Sequence, residues 1–438
     1  MNSREGHRPL KRASLFIFVC VMYSYTTGGP FGLEDQVGAS GPGMSLIYQL
    51  VLPFFWCIPI SLATAELTAS MPVQGGFYRW TRVAFGDFWG FLAGWWNWCA
   101  EFLLAASYAV LFSDYLAFFL PRLTSVERYL ISLALIAIMA CINILGITTV
   151  GKVATGLNVA VLIPFTIMAV LSVRQWHHNP FVPVVPPGKP VFQVFGVGLA
   201  LGLWLYSGYE QLSTVSGEVE DAGHAFPRAL AWVVPLSIAT YFIPTFFSLA
   251  ALNNWQSWRT GYFPELAALI GGRWLGLTMT AAATLMQASA LNSTLLASTR
   301  VPFAMAEDGY LGASLARLHP RFGTPAAAIL LSAAVCSLLA FKSLTQLISV
   351  YIWLRIPTSL LTVLCARKQA PRSAAGFRIP GGRIGRLYSI GAPLLMSPFA
   401  MIASDRFAFK WGPVTLALGP LAWWLLKPTK PGAPNETA

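Results

Sequence analysis

The sequence predicts an all-α, polytopic membrane protein of twelve transmembrane helices, and three observations carry that prediction. The 438 residues are 56% hydrophobic and only 11% charged, where a soluble domain is about 45–50% apolar and about 25% charged. Mean hydropathy is +0.61. Apolar runs able to cross a ~30 Å hydrocarbon layer, about 20 helical residues each, recur from Ala13 almost to the C-terminus with short polar interruptions. No separate soluble domain fits between them.

Proline, glycine and charge breaks divide these runs into spans at 13–37, 43–69, 86–117, 126–146, 153–173, 191–218, 228–252, 272–300, 325–341, 344–364, 387–404 and 408–426. The first run, Ala13 to Thr27, has the length of a signal peptide but no A-x-A cleavage site after it, so it is read as a spanning helix. The first and sixth spans each carry a polar, Gly-containing interruption, at Thr27 to Gly32 and at Ser207-Gly208-Tyr209-Glu210. Five spans separate the two breaks, and the long third and eighth spans keep the same separation. Spans 1–5 therefore correspond to spans 6–10, and an odd number of helices per half inverts the second half. Inverted repeats with paired broken helices are the mark of transporters that bind substrate near the bilayer midplane. The resulting layout is a tail at 1–12, a first repeat at 13–173, an outer loop at 174–190, a second repeat at 191–364, a basic loop at 365–386, two additional helices at 387–426 and a tail at 427–438.

The net charge of +12 would point to nucleic acid in a soluble protein, but here its placement matters more. Nineteen of the 29 Lys and Arg fall on the side of the N-terminus, nine on the other, and Arg355 lies inside a span. The positive-inside rule then puts both termini in the cytoplasm of a plasma membrane protein. Nucleic acid is not an expected partner, and oligomeric state is not encoded in any motif. The cysteines Cys20, Cys57, Cys99, Cys141, Cys336 and Cys365 lie in apolar runs without metal-ligand spacing and read as small core residues. The five histidines, in loops or the tail, make no metal set.

A Gly-Gly-Pro sequence inside a membrane helix is costly, because both residue types are poor helix formers and proline removes a donor. The freed backbone groups cost several kcal/mol each in hydrocarbon unless protein, water or ligand meets them. Two breaks at matching positions therefore read as two halves of one binding site. An ionisable residue at membrane depth is a functional candidate by default, which singles out Glu210 in the second break and Glu101 in the third span. Glu101 lies one turn beyond Trp98, a candidate wall for a cation. Glu34 and Asp35 follow the first break, in a site or an aqueous vestibule. Glu66, Glu218 and Glu220 lie near the cytoplasmic surface as solvated or gate-pairing residues. Arg355 either snorkels or pairs with an acid.

Several stretches are familiar together: Gly28-Gly29-Pro30-Phe31-Gly32-Leu33-Glu34-Asp35, Ala65-Glu66-Leu67 through Pro72, Gly75 to Trp80, Ser213 to Glu220, and Ala306-Glu307-Asp308-Gly309-Tyr310-Leu311. They resemble the amino acid–polyamine–organocation (APC) superfamily over most of residues 13–426, nearest the polyamine-uptake and L-type amino acid transporter branch. The resemblance implies a LeuT-like 5+5 inverted repeat and alternating access around a site between spans 1, 3, 6, 8 and 10. It implies that Thr27, Gly28, Gly29, Phe31 and Gly32 hold a substrate carboxylate or polar end, while Ser207, Gly208, Tyr209 and Glu210 hold the amine. Tyr206 and Tyr209 flank the second break as an aromatic wall. Two features depart from the family pattern: Lys152 sits at the start of span 5 instead of within it, and Leu104 stands where the polyamine branch places an acid. The expectation is a permease for amino acids or related amines, driven by proton symport through Glu210 or Glu101, with no cofactor, no metal and no enzymatic activity. Polyamine symport, amine exchange and a non-transporting nutrient sensor are the alternatives. No G-x-x-x-x-G-K-[ST] loop is present to couple ATP.

Overall fold

A computed structural model of the chain describes residues 12–27, 29–116, 119–120, 122–188, 191–342, 344–368, 377–402 and 406–426. Gly28, both tails at 1–11 and 427–438, and residues 369–376 of the basic loop lie outside them. The described residues form helices joined by turns and loops, and their only β pairing is one isolated bridge between Ala13 and Val219.

The first expected span is two helices, α1 (Leu15–Thr27) and α2 (Leu33–Ser40). The second is α3 (Pro42–Leu52) and α4 (Ile58–Ser70), joined without interruption by a π-helical turn, Pro53–Cys57, that begins on a proline. After α5 (Phe77–Phe85) come α6 (Asp87–Leu116), α7 (Ser125–Ile144) and α8 (Ile147–Arg174). The sixth span is α9 (Val191–Leu205), a turn, and a 3-10 segment Gln211–Glu218. There follow α10 (Ala222–Ala251), α11 (Tyr262–Gly271), α12 (Arg273–Ser298), α13 (Arg300–Glu307), α14 (Ala326–Leu339), α15 (Leu344–Lys368), α16 (Gly382–Ile402) and α17 (Arg406–Leu426).

Six continuous helical stretches among the described residues are long and apolar enough to cross a membrane: Pro42–Ser70, α6, α7, α8, α10 and Gln346–Lys368. α16 and α17 meet that test only as a pair bent by 119°. The other expected spans differ for physical reasons. The first and sixth are divided at their breaks, so each half is short. α14 is a short apolar helix. α12 has 26 residues but dilutes its apolar content with Thr280, Thr284, Gln287, Asn292 and Ser293, all buried.

Polarity is inverted relative to a water-soluble protein. Phe54, Leu130, Ile163, Trp232, Leu338, Leu395 and Trp424 are exposed, while Glu34, Glu101, Glu210, Glu218, Arg300 and Arg355 are buried. The cysteines divide on the same axis. Cys57, Cys336 and Cys365 are core residues as expected, whereas Cys141 is exposed on α7 and Cys20 and Cys99 are half-buried. Lys152 is exposed on α8 and does not enter the interior.

The core sits where α12 packs against α6 and α8, with α15 against α6 and α1 wedged between α8, α10 and α12. α2 packs on α9, so the two broken elements meet. Their glycines allow it. Gly32 has φ +95°, and a Cβ there would lie 2.6 Å from Trp204 at the end of α9. Gly208 has φ +103°, and a Cβ there would lie 2.6 Å from the ring of Tyr25 at the end of α1. Each break thus receives an aromatic ring from the other through a glycine with left-handed backbone.

Candidate functional site

The freed carbonyls of both breaks converge on one hydroxyl. Tyr241 Oη of α10 lies 2.6 Å from the Thr27 carbonyl and 3.0 Å from that of Leu205, and its single proton is shared between them. Thr27 Oγ1 is 2.7 Å from Ser237 Oγ. At the second break, Trp56 Nε1 donates to Ser207 Oγ at 3.0 Å and Ser207 donates to the Leu203 carbonyl at 2.5 Å. Tyr206 donates to the Gln49 carbonyl at 2.8 Å. Neighbouring helices therefore satisfy much of the broken backbone with neutral groups, as a low-dielectric surround requires.

Between the breaks lies a cavity of ≈ 10 Å³, room for about one water. Thr27, Phe31 and Ser207 line it, together with Gln287 and the rings of Tyr25, Tyr108, Trp204, Tyr241 and Tyr351. Aromatic faces on this scale suit a cation. Tyr206 and Tyr209 are not among the lining residues: Tyr206 packs edge-on against Tyr241 at 5.3 Å, and Tyr209 is buried beside Cys57.

Beneath Tyr25 lies the charged part of the site. Tyr25 donates to Glu101 Oε1 at 2.8 Å. Arg355 of α15 places Nη1 2.5 Å from Asn97 Oδ1, 3.0 Å from Gln211 Oε1 and 3.3 Å from Glu101 Oε1, while Nη2 is 3.2 Å from Glu210 Oε1. Ser359 Oγ donates to the same Glu210 oxygen at 2.5 Å. Each of these side chains is 2% exposed or less. Of the two sequence alternatives for Arg355, the structure takes ion pairing, and with both candidate acids at once. Two carboxylates around one guanidinium leave one negative charge uncompensated when both acids are ionised. Among the described residues, Glu101 Oε2, Asn97 Nδ2, Gln211 Nε2 and Arg355 Nε find no hydrogen-bond partner, which is costly for buried atoms.

Glu101 and Glu210, named from sequence as separate candidates, are thus one cluster, and Thr27, Phe31 and Ser207 line the adjoining cavity, whereas Gly32 and Gly208 do not line it but pack against Trp204 and Tyr25, which do. Trp98 turns elsewhere: its Nε1 is 3.5 Å from Ser332 Oγ of α14 and its ring is 5.1 Å from Phe102. Gly28 lies outside the described residues. Gly29 precedes the turn that opens α2. The Gly32 N–H, expected to meet a substrate carboxylate, already donates to Glu34 Oε2 at 2.7 Å.

Sequence reading missed Asn97, Gln211, Ser359, Tyr25 and Tyr241. Two of them carried a signal. Asn97 precedes Glu101 by four residues and Ser359 follows Arg355 by four, so each polar pair marks one helix face.

Both ends of the site are closed. Toward α11, Tyr115 donates to Glu34 Oε1 at 2.9 Å, and Thr260 donates to Asp35 through N at 2.8 Å and through Oγ1 at 2.5 Å. Phe31 packs there edge-on or tilted against Tyr115, Phe165 and Phe263 at 5.0–6.2 Å. Toward α5 and α13, Arg300 and Glu218 form a buried bidentate pair at 2.8 and 3.2 Å, and the Ala13 N–H donates to the Glu218 carbonyl. Arg79 pairs with Glu307 at 2.7 Å, and Arg82 with Asp87 at 2.6 Å and Asp308 at 3.0 Å. Glu218 is thus a pairing residue, Glu220 is exposed, and Glu66 is buried.

A family model described as amino acid permease matches residues 11–424. The chain belongs to that family, within the APC superfamily. The permease is a multi-pass membrane transporter and not an enzyme. It is 33% identical to polyamine transporter PUT1 of Oryza sativa subsp. japonica over 90% of this chain and 73% of the relative. It is 31% identical to a probable polyamine transporter of Arabidopsis thaliana over 92% of this chain and 84% of the relative. An uncharacterized transporter of Mycobacterium tuberculosis is 27% identical to the permease over 70% of this chain and 68% of that protein.

Proposed function

We propose that this permease is a secondary active transporter that takes up amines, amino acids among them, across the plasma membrane by proton symport. The observation that carries the reading is the buried cluster of Glu101, Arg355 and Glu210, with one carboxylate in excess of its cation, beside an aromatic cavity. In that setting a positive charge from a substrate ammonium or from a proton neutralises the excess. Symport follows when the cluster carries that proton together with a substrate of no net charge, such as an amino acid zwitterion, in the same half-cycle, and the transporter needs no further cofactor.

The working arrangement is the LeuT-like one: twelve spans, repeats at 13–173 and 191–364 in inverted orientation, 387–426 outside them, and both termini cytoplasmic. The latch of Glu34, Asp35, Tyr115 and Thr260 is then the outer gate, and the Arg300–Glu218 pair with the Arg79 and Arg82 contacts is the inner gate. Opening one at a time gives alternating access to Thr27, Phe31, Ser207, Glu101 and Glu210. The buried Gly32 N–H bond to Glu34 weighs toward the substrate's amine, and against a carboxylate, as the main handle.

A polyamine-specific proton symporter is the second reading, favoured by the names of the relatives. Uptake of labelled amino acids, monoamines and polyamines into proteoliposomes, with and without an imposed pH gradient, tests both. The reading expects uptake that rises with a proton gradient directed inward. Uptake indifferent to that gradient rules out symport and leaves exchange.

A further inference from the structure

We infer that Arg355 is a built-in cation that sets how many positive charges the substrate brings, so that the site prefers a solute with one ammonium group over a diamine. The inference rests on the proposed amine-binding role of the cluster and deepens it.

The argument is a charge count. Among the described residues, Glu101, Glu210 and Arg355 form one buried charged group with contacts of 3.2–3.3 Å, while the buried Glu34 is bonded apart from it to Gly32 N and Tyr115. The guanidinium stays protonated under all ordinary conditions, and it is held in place by Asn97, Gln211 and both acids. With Arg355 present, two ionised carboxylates leave a deficit of one positive charge. One ammonium group closes that deficit and meets Glu101 Oε2, an acceptor without a partner. A second ammonium would overshoot it in a site walled by Tyr25, Tyr108 and Tyr351 and lying against a fixed guanidinium. An uncompensated buried charge is among the most expensive arrangements a protein can hold.

The geometry agrees. Arg355 reaches the acids from α15, whereas the cavity adjoins them through Tyr25 of α1 and Tyr351 one turn before Arg355. The guanidinium lies within 3.3 Å of both acids, so it fills the place beside them that the second amine of a diamine would need. Removing it creates a site with two acids and no resident cation. Without substrate, one of two neighbouring carboxylates then holds a proton, and a diamine can displace that proton.

The test is binding of a matched pair, butylamine and putrescine, to purified full-length protein, read by calorimetric titration. The wild type is expected to favour butylamine. Arg355→Gln is expected to shift the putrescine-to-butylamine affinity ratio toward putrescine by about tenfold or more, and Arg355→Lys to keep the wild-type ratio. An Arg355→Gln ratio equal to that of the wild type overturns the inference. Should Arg355→Gln not fold, Glu101→Gln serves: it removes the charge deficit and should weaken butylamine by about tenfold, and unchanged butylamine affinity overturns the inference. A wild type that binds putrescine more tightly than butylamine leaves amine transport standing and defeats this inference alone. A wild type that binds neither defeats the amine reading itself.

Discussion

The two helix breaks solve the same problem with different chemistry. At the first, Thr27 to Gly32, the Thr27 carbonyl accepts from Tyr241, the Gly32 N–H donates to the side chain of Glu34 two residues on, and the Thr27 hydroxyl pairs with that of Ser237. At the second, Ser207 to Glu210, comparable neutral bonds close the backbone, and the chain then enters a charged cluster through Glu210, Gln211 and Arg355. The first break is a joint whose Thr27 and Gly32 groups are matched. The second retains an excess charge and unpartnered polar atoms. That difference separates where the helix must bend from where a ligand has most to gain.

The largest effects are expected at the charged break. Glu210→Gln and Glu101→Gln should each lower amine uptake at least about 30-fold, corresponding to the ~2 kcal/mol or more lost when one member of a buried, hydrogen-bonded charge pair is removed. Initial rates in proteoliposomes check this, and near-normal rates in both variants would place substrate elsewhere. Next come the glycines that let the breaks touch. Gly32→Ala and Gly208→Ala each add a left-handed penalty of ~1–2 kcal/mol to the overlap with Trp204 or Tyr25, so both should lower the melting temperature in detergent. A neutral outcome for either would mean that the two breaks do not interlock.

Much of this contrast was legible in the sequence. The Gly-Gly-Pro run and the Ser-Gly-Tyr-Glu run break a helix by their composition alone, and both acids stood out because an apolar run should not contain them. The partner of Arg355 was not legible: periodicity assigns a residue to a helix face, but which helix meets that face depends on packing of residues some 150 to 250 positions away. The short helices α5, α11 and α13 escaped notice because they lie between the apolar runs that defined the spans. The sequence leaves Glu34 in a site or an aqueous vestibule, since proximity to a break says nothing of Tyr115 and Phe263, which bond and cover it.

Smaller effects sharpen the comparison further. Tyr241→Phe removes the hydroxyl shared by both breaks and should cost about 1–3 kcal/mol, the penalty of leaving buried carbonyls unpaired, visible as a lower melting temperature. Ser359→Ala, which removes a bond to a carboxylate, should cost about 1.5–3 kcal/mol in substrate affinity or stability, and Thr27→Val at the neutral break only about 1 kcal/mol. Equal losses from these two substitutions would erase the distinction between a charged and a neutral break.

The most direct measurement is calorimetric titration of one transported amine into purified wild type, Glu210→Gln and Thr27→Val, each first shown to be folded. The account predicts that Glu210→Gln loses at least about tenfold in affinity while Thr27→Val stays within a few-fold of wild type. Equal affinity in wild type and Glu210→Gln would contradict the assignment of the second break as the half of the site that holds the amine.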